Sequence, residues 1–245
     1  MAGQVQRRSD VQPIRVNGGQ FKYTACYCEE NIYMLCKALG EQGLASPDHS
    51  DLYVVFISND IQQVPFWRQR NSSTGPDGFS VWDYHVICVQ KTSEADEALV
   101  WDLDTTLPFP VAFSLYAEKS LRPDIRLDKV YSRLFRVIKA SSYLSSFASD
   151  RRHMKTPEGR WRAPPPPYEC IKAADGQVYN LEEYNVILEE QVRHISVEEE
   201  LGSLLANKYG LVINEDGFKR VFSRSRSRGT LEKLDTNSQQ LVSHV

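Results

Sequence analysis

Apolar side chains at Cys28, Ile32, Leu35, Cys36 and Leu39 recur at i, i+4, i+7, i+8 and i+11. This is the stripe of an amphipathic helix with one buried face. Thr24 is placed to cap it, Glu29 and Glu30 put carboxylates in its first turn, and Gly40 marks its end. The run 52–57 is continuously apolar and rich in β-branched and aromatic residues, as in a strand buried on both faces. A polar stretch at 68–78 carries turn residues throughout and reads as a loop of the long kind that lines sites. Segments 81–89 and 98–104 read as two further strands, and the polar, acidic stretch 90–97 between them reads as a turn. Beyond these, the pattern predicts a helix over 114–121 stopped by Pro123. It also predicts a strand toward the end of 131–139 and a helix from Ser141 to Ala148. Pro164 to Pro167 form a rigid extended segment that packs on the domain. Asn180 with Glu183, and Ser196 with Glu199, have capping-box spacing.

The two strands flanking 90–97 carry the most specific inference. If they form an antiparallel hairpin symmetric about Ser93 and Glu94, then Val89 faces Ala98, Ile87 faces Val100, and His85 faces Asp102. Directly opposed residues on one face have Cβ atoms about 4.5–5.5 Å apart. That is close enough for a carboxylate to orient an imidazole. In the same register Asp104 faces Asp83. A slip of one residue would turn each pair to opposite faces, so the pairing depends on the assumed register.

Composition narrows the setting. A chain of 245 residues, 41% hydrophobic and 25% charged, is long enough for one catalytic domain with a sizeable core. We expect that domain over 16–222, a loose segment over 1–15, and a disordered tail over 223–245 that contains the Ser-Arg repeat. The net charge of −3 gives no general attraction to nucleic acid or membrane. No apolar run reaches the length of a membrane span, and the first fifteen residues lack the apolar core of a secretory signal. Five cysteines without a CxxC pair argue against a disulfide framework and for a reducing compartment: cytoplasm, with the nucleus second. Cys26 and Cys28 have too few neighbouring ligands for a metal site.

A cysteine in the first turn of a helix is placed where the helix dipole favours the thiolate, the nucleophilic form. Buried cysteine is also a common inert core residue. Cys28 is therefore informative only because His85 and Asp102 supply the histidine and carboxylate that a cysteine nucleophile requires. His153, in the basic stretch 150–155, is a second histidine to weigh, although that stretch reads first as a solvated loop.

Five ordered blocks resemble the protein N-terminal glutamine amidohydrolase family. They are Tyr-Thr-Ala-Cys-Tyr-Cys-Glu-Glu-Asn (23–31), Val-Trp-Asp-Tyr-His-Val (81–86), Asp-Leu-Asp-Thr-Thr-Leu-Pro-Phe-Pro (102–110), Ser-Tyr-Leu-Ser-Ser-Phe-Ala-Ser-Asp-Arg-Arg-His-Met-Lys (142–155) and Trp-Arg-Ala-Pro-Pro-Pro-Pro-Tyr-Glu-Cys-Ile (161–171). The resemblance covers about 20–185, and 186–209 depart from the pattern. It implies an α+β (α/β) chain folded as an α–β–α sandwich of the papain- and transglutaminase-like kind, with a mainly antiparallel sheet. It implies an enzyme that converts N-terminal glutamine of proteins and peptides to glutamate with release of ammonia, and whose product feeds arginylation in the N-degron pathway. By motif, the nucleophile falls on Cys28, the base on His85 and the orienting acid on Asp102. Such an enzyme works as a monomer with no metal or organic cofactor, and with no nucleic acid or membrane partner. Detecting a free α-ammonium needs a carboxylate, for which Glu30, Asp83 and Asp104 are the candidates. The rival readings are a cysteine protease or transglutaminase acting on internal residues, and a non-catalytic module that binds N-termini.

Overall fold

In the computed structural model, residues 18–70, 77–93, 96–195 and 205–223 are described. The segment 1–15, the tail from 224 onward and the Ser196–Glu199 capping box lie outside them.

The fold is built on β1 (Leu52–Ser58), the continuous apolar run. β2 (Val64–Phe66) and β3 (Ser80–Trp82) form a separate two-stranded sheet. β4 (His85–Gln90), β5 (Leu99–Trp101), β6 (Val111–Ala112), β7 (Leu134–Lys139) and β8 (Leu211–Asn214) join β1 in a six-stranded sheet of order β6-β5-β4-β1-β7-β8. Every ladder in it is antiparallel.

Burial on both faces explains why β1 shows no alternation of polar and apolar residues. Val54 and Phe56 point to one side, with Val86 and Cys88 of β4. That side is covered by α1 (Cys28–Glu41), α3 (Ala140–Ser146) and α4 (Glu182–Asn185). Val55 and Ile57 point to the other, with Ile87, Val89 and Val100. That side is covered by α2 (Phe113–Tyr116), which runs on into a π turn (Ala117–Leu121), and by α5 (Glu215–Phe222). The result is the expected α–β–α sandwich with an antiparallel sheet. The stripe of α1 is buried as its spacing requires, with Ile32, Leu35, Cys36 and Leu39 at most 1% exposed. Full burial of each Leu or Ile contributes about 1.5–3 kcal/mol.

Several local expectations are corrected. Thr24 does not cap α1: the cap position is Tyr27, with no side-chain bond to the helix. Instead Asn31 reaches back, its Oδ1 accepting from Thr24 N and its Nδ2 donating to Thr24 O, both at 2.8 Å. Cys26 takes a left-handed conformation, φ 68°, which turns the chain into the helix two residues later. Segment 81–89 is two strands rather than one. The break is at Asp83 and Tyr84, where Asp83 Oδ1 accepts from Tyr84 N and Asp83 O accepts from Ser58 Oγ. Asn180 caps no helix with its side chain; it holds Ala148 N and Ser146 O.

Candidate active site

Strand β4 begins at His85 and β5 ends at Trp101. The ladder between them pairs Cys88 with Trp101, Val89 with Val100, and Gln90 with Leu99. This is two residues away from the expected register. The parity of faces survives the shift, but Asp102 and Asp104 now lie beyond β5, and the proposed opposition of Asp83 and Asp104 across the ladder does not exist. A turn brings Asp102 back instead. Its Oδ1 lies 3.1 Å from His85 Nε2 and accepts from Asp104 N at 2.9 Å, and its Oδ2 accepts from Tyr116 Oη of α2 at 2.8 Å. The polar loop before β3 holds this turn in place. Arg70 N donates to Asp104 O, Arg70 Nε to Thr105 O, and Thr106 N to Arg68 O.

His85 and Asp102 are both fully buried. Burial pushes the imidazole's pKa down, but the charge and hydrogen bond of Asp102 overcome it and leave it raised. Burial pushes the Asp102 carboxyl up, but His85, Asp104 N and Tyr116 pull it below its ordinary value. Each partner thus favours the charged form of the other. Trp82 stacks on the His85 ring at 5.0 Å and Phe66 meets its edge at 5.3 Å. The second ring nitrogen, Nδ1, is buried and has no hydrogen-bond partner.

Cys28 opens α1, is 7% exposed, and takes a hydrogen bond on its sulfur from the backbone of Val86, next to His85. Its thiol donates to Glu29 Oε2 at 3.7 Å. The expected lowering of its pKa by the helix dipole is overturned. Burial, then Glu29, Asp104 and Asp83 in that order, hold the thiol well above the usual cysteine range. Three carboxylates near a buried sulfur outweigh one helix terminus. Cys26, by contrast, is exposed.

The candidates for the ammonium separate clearly. Glu30 is fully buried and already paired: Arg151 Nε and one terminal nitrogen grip its carboxylate at 3.0 and 2.9 Å. The stretch read as a solvated loop therefore supplies a buried structural cation. Asp83 is exposed at the break between β3 and β4. Asp104 is 4% exposed, accepts from Tyr23 Oη at 2.6 Å, and has a raised pKa from burial. His85, Asp102 and Asp104 present ligand-type atoms within 4.8 Å of one another. Both oxygens of Asp102 are already committed to donors, which is the pattern of an oriented imidazole. Sequence patterns missed Glu29, Tyr84 and Tyr116. Their roles come from partners far along the chain, and no local spacing signals them.

A family model described as N-terminal glutamine amidase matches residues 23–222; it takes in 186–209 and corrects the expectation that this stretch departs from the family pattern. Among similar proteins is the "Protein N-terminal glutamine amidohydrolase" of Arabidopsis thaliana, 45% identical over 214 residues, which are 87% of this chain and 96% of that one. That of Oryza sativa subsp. indica is 46% identical over 211 residues, 85% and 90% of the two chains. The human protein of the same name is 43% identical over 162 residues, 66% and 76%. With a model match over most of its length and relatives aligned almost end to end, the chain belongs to the N-terminal glutamine amidase family, enzymes that hydrolyse an amide bond.

Proposed function

We propose that this chain deamidates the side chain of N-terminal glutamine, using Cys28 as nucleophile, His85 as base and acid, and Asp102 as the group that orients His85. The observation that carries this reading is the buried His85–Asp102 pair at 3.1 Å, with the free Nδ1 on the same ring and Cys28 hydrogen-bonded to the next residue of β4. Asp102 holds Nε2, so Nδ1 is the nitrogen left to serve the sulfur. Nδ1 makes no hydrogen bond in the resting state, and catalytic hydrogen bonds commonly tighten only once substrate binds.

In the reaction, His85 Nδ1 takes the Cys28 proton as the sulfur attacks the carboxamide carbon. The tetrahedral oxyanion meets backbone N–H groups at the start of α1; one such donor is commonly worth about 10²–10³ in rate. The C–N bond then breaks, and His85 returns the proton to the leaving nitrogen, which departs as ammonia. Water adds to the thioester with His85 again as base, and glutamate is released. Asp102 keeps the imidazole in one tautomer throughout. These steps call for no metal or organic cofactor. We place the whole machinery in one domain over 16–222, acting as a monomer in cytoplasm and nucleus, with its product passing to arginylation in the N-degron pathway. Among the described residues no helix is long and apolar enough to cross a membrane.

The test is mass spectrometry of a Gln-initiated peptide incubated with the protein, with ammonia measured in parallel. The expected result is conversion of the terminal amide to the acid in the free peptide and none in its N-acetylated copy. Cleavage or cross-linking of internal residues instead would point to a protease or transglutaminase, and no change at all would point to a binding module.

A further inference from the structure

The catalytic steps above use His85 and Asp102 but leave Glu29 without a task, although it is the carboxylate closest to the sulfur. Glu29 is fully buried. Its Oε2 accepts from the Cys28 thiol at 3.7 Å and from Tyr84 Oη at 3.1 Å. Its Oε1 is buried and accepts no hydrogen bond. The nearest group able to carry positive charge is His153, whose Nε2 lies 3.4 Å from Oε1, and neither ring nitrogen of His153 makes a hydrogen bond. A buried acceptor left without a donor bears its full desolvation penalty, and more when it is charged. Native proteins keep few such groups, and each calls for an explanation.

Around the same sulfur the charges are one-sided. Besides Glu29, Asp83 at the break before β4 and Asp104 in the turn after β5 act on it, and it lies close enough to Tyr84 and to Tyr143 of α3 to act on their hydroxyls. Tyr143 Oη is committed to the Glu29 carbonyl, and His85, the cation-forming group beside Cys28 on β4, is committed to Asp102. Three carboxylates therefore converge on a site whose substrate carries one free ammonium. In an N-terminal glutamine the α-nitrogen and the carboxamide carbon are roughly 4–5 Å apart when the side chain is extended. One residue can therefore place its amide on the sulfur and its ammonium against Glu29.

We propose that Glu29, with Asp104 and Asp83 beside it, receives the substrate's α-ammonium, and that this cation switches on the nucleophile by cancelling the negative charge that opposes ionisation of Cys28. This deepens the activity proposed above and rests on it. Before binding, burial and then the three carboxylates push the thiol's pKa up and oppose its ionisation. When the ammonium arrives, its charge offsets theirs, the thiol proton passes to His85 Nδ1, and the ammonium keeps all its own protons. An acetylated or internal glutamine brings no cation, so it fails in the chemical step as well as in binding. Selectivity for a free terminus then appears in kcat and not only in KM.

The test reads the thiol directly. Iodoacetamide alkylation of Cys28 is followed by peptide mapping at pH 8, in wild type, Glu29→Gln and Asp104→Asn, with melting curves to check folding. Removing the charge should make Cys28 react about tenfold faster in Glu29→Gln, the effect of one pH unit, and less so in Asp104→Asn. Methylammonium chloride, which supplies the cation without covering the sulfur, should accelerate alkylation of wild type relative to equal sodium chloride, and should have no such effect on Glu29→Gln. Alkylation no faster in a folded Glu29→Gln, or methylammonium indistinguishable from sodium in wild type, overturns the inference. If Glu29→Gln does not fold, Asp104→Asn and the methylammonium comparison on wild type decide. Wild type that deamidates the Gln peptide but shows neither thiol effect sinks this inference alone. Thiol effects without deamidation sink the activity instead.

Discussion

Glu29 and Glu30 are adjacent in the first turn of α1 and both are fully buried, yet they belong to different parts of the molecule. Neighbours on a helix point about 100° apart. Glu30 turns toward the Arg151 segment and meets a guanidinium that grips it twice. Arg151 also donates to Pro166 O at 3.1 Å and lies 5.0 Å over the Tyr168 ring, so the proline segment closes over a satisfied ion pair. Glu29 turns toward Cys28, Tyr84 and His153, and one of its oxygens goes without a donor. Both residues bury a charge. Glu30's charge is gripped by a guanidinium, whereas the nearest cation-forming group to Glu29 is the His153 imidazole, 3.4 Å away and making no hydrogen bond to it. The gripped charge holds the scaffold, and the other stands beside the Cys28 sulfur. The comparison also shows why Glu30 was a poor choice for the substrate's ammonium: its cation is already in place.

The largest effects should come from the reacting side and should spare the fold. Cys28→Ser and Asp102→Asn should each lower kcat by about 10³–10⁴ or more, with melting temperatures near wild type for Cys28→Ser. The double variant should lose little beyond the worse single one, because the two act in one step. Steady-state kinetics on a Gln-initiated peptide check this. Near-normal turnover by Cys28→Ser, or alkylation mapping that finds Cys26 to be the essential thiol, would move the nucleophile.

The scaffold side should answer in stability. Removing one partner of a buried ion pair costs about 3–5 kcal/mol, which for a domain of this size is roughly 6–20 °C in melting temperature. Arg151→Met should show that loss, while the molecules that remain folded keep their kcat. Combining it with Glu30→Met should recover part of the stability, since two apolar groups can replace a buried pair. The comparison breaks if Glu30→Gln abolishes turnover at an unchanged melting temperature. In that case the carboxylate with the cation is the functional one.

How much of this could be read in the sequence follows from how far each signal reaches. Leu52 to Ile57 announced the central strand because burial on both faces needs only a run of apolar residues. The stripe from Cys28 to Leu39 announced α1 because its period is local. The pairing of His85 with Asp102 was reached through a register two residues off. It survived because a shift of two keeps the face, and because the turn at 102–105, tied to Arg68 and Arg70, carries Asp102 back to the ring. The break at Asp83 and Tyr84 could not be seen, because it is fixed by Ser58 Oγ on Asp83 O, a contact 25 residues away. Arg151 read as solvated for the same reason: its partner Glu30 lies 121 residues earlier. The raised pKa of the thiol ran against the expectation because the helix terminus is visible in the sequence, whereas the burial of Cys28 and, after it, the influence of Glu29, Asp104 and Asp83 exist only in the fold.

The smallest effect should come from removing residues 224–245. The family match ends at Phe222, and α5 is complete there. Asn214 Oδ1 caps its start, accepting from Gly217 N at 2.9 Å, and Ser223 N closes its end on Lys219 O. Phe218 and Phe222 are fully buried, Phe218 stacking on Phe135 at 4.2 Å. The domain core therefore needs nothing beyond Ser223, and the melting temperature of the truncated chain should match that of the full one. Turnover gives the sharper readout. Arg224, Arg226 and Arg228 are cations tethered to a protein whose Cys28 lies under the influence of three carboxylates. If the tail reached them it would compete with the substrate's ammonium, and deletion would lower KM most strongly at low salt, where such attraction is least screened. We expect KM and kcat to be unchanged at every ionic strength, because a solvent-exposed arginine–carboxylate pair contributes little. A KM that falls on truncation, with the difference vanishing in high salt, would instead show the tail to be an internal competitor for the Glu29 side of the helix.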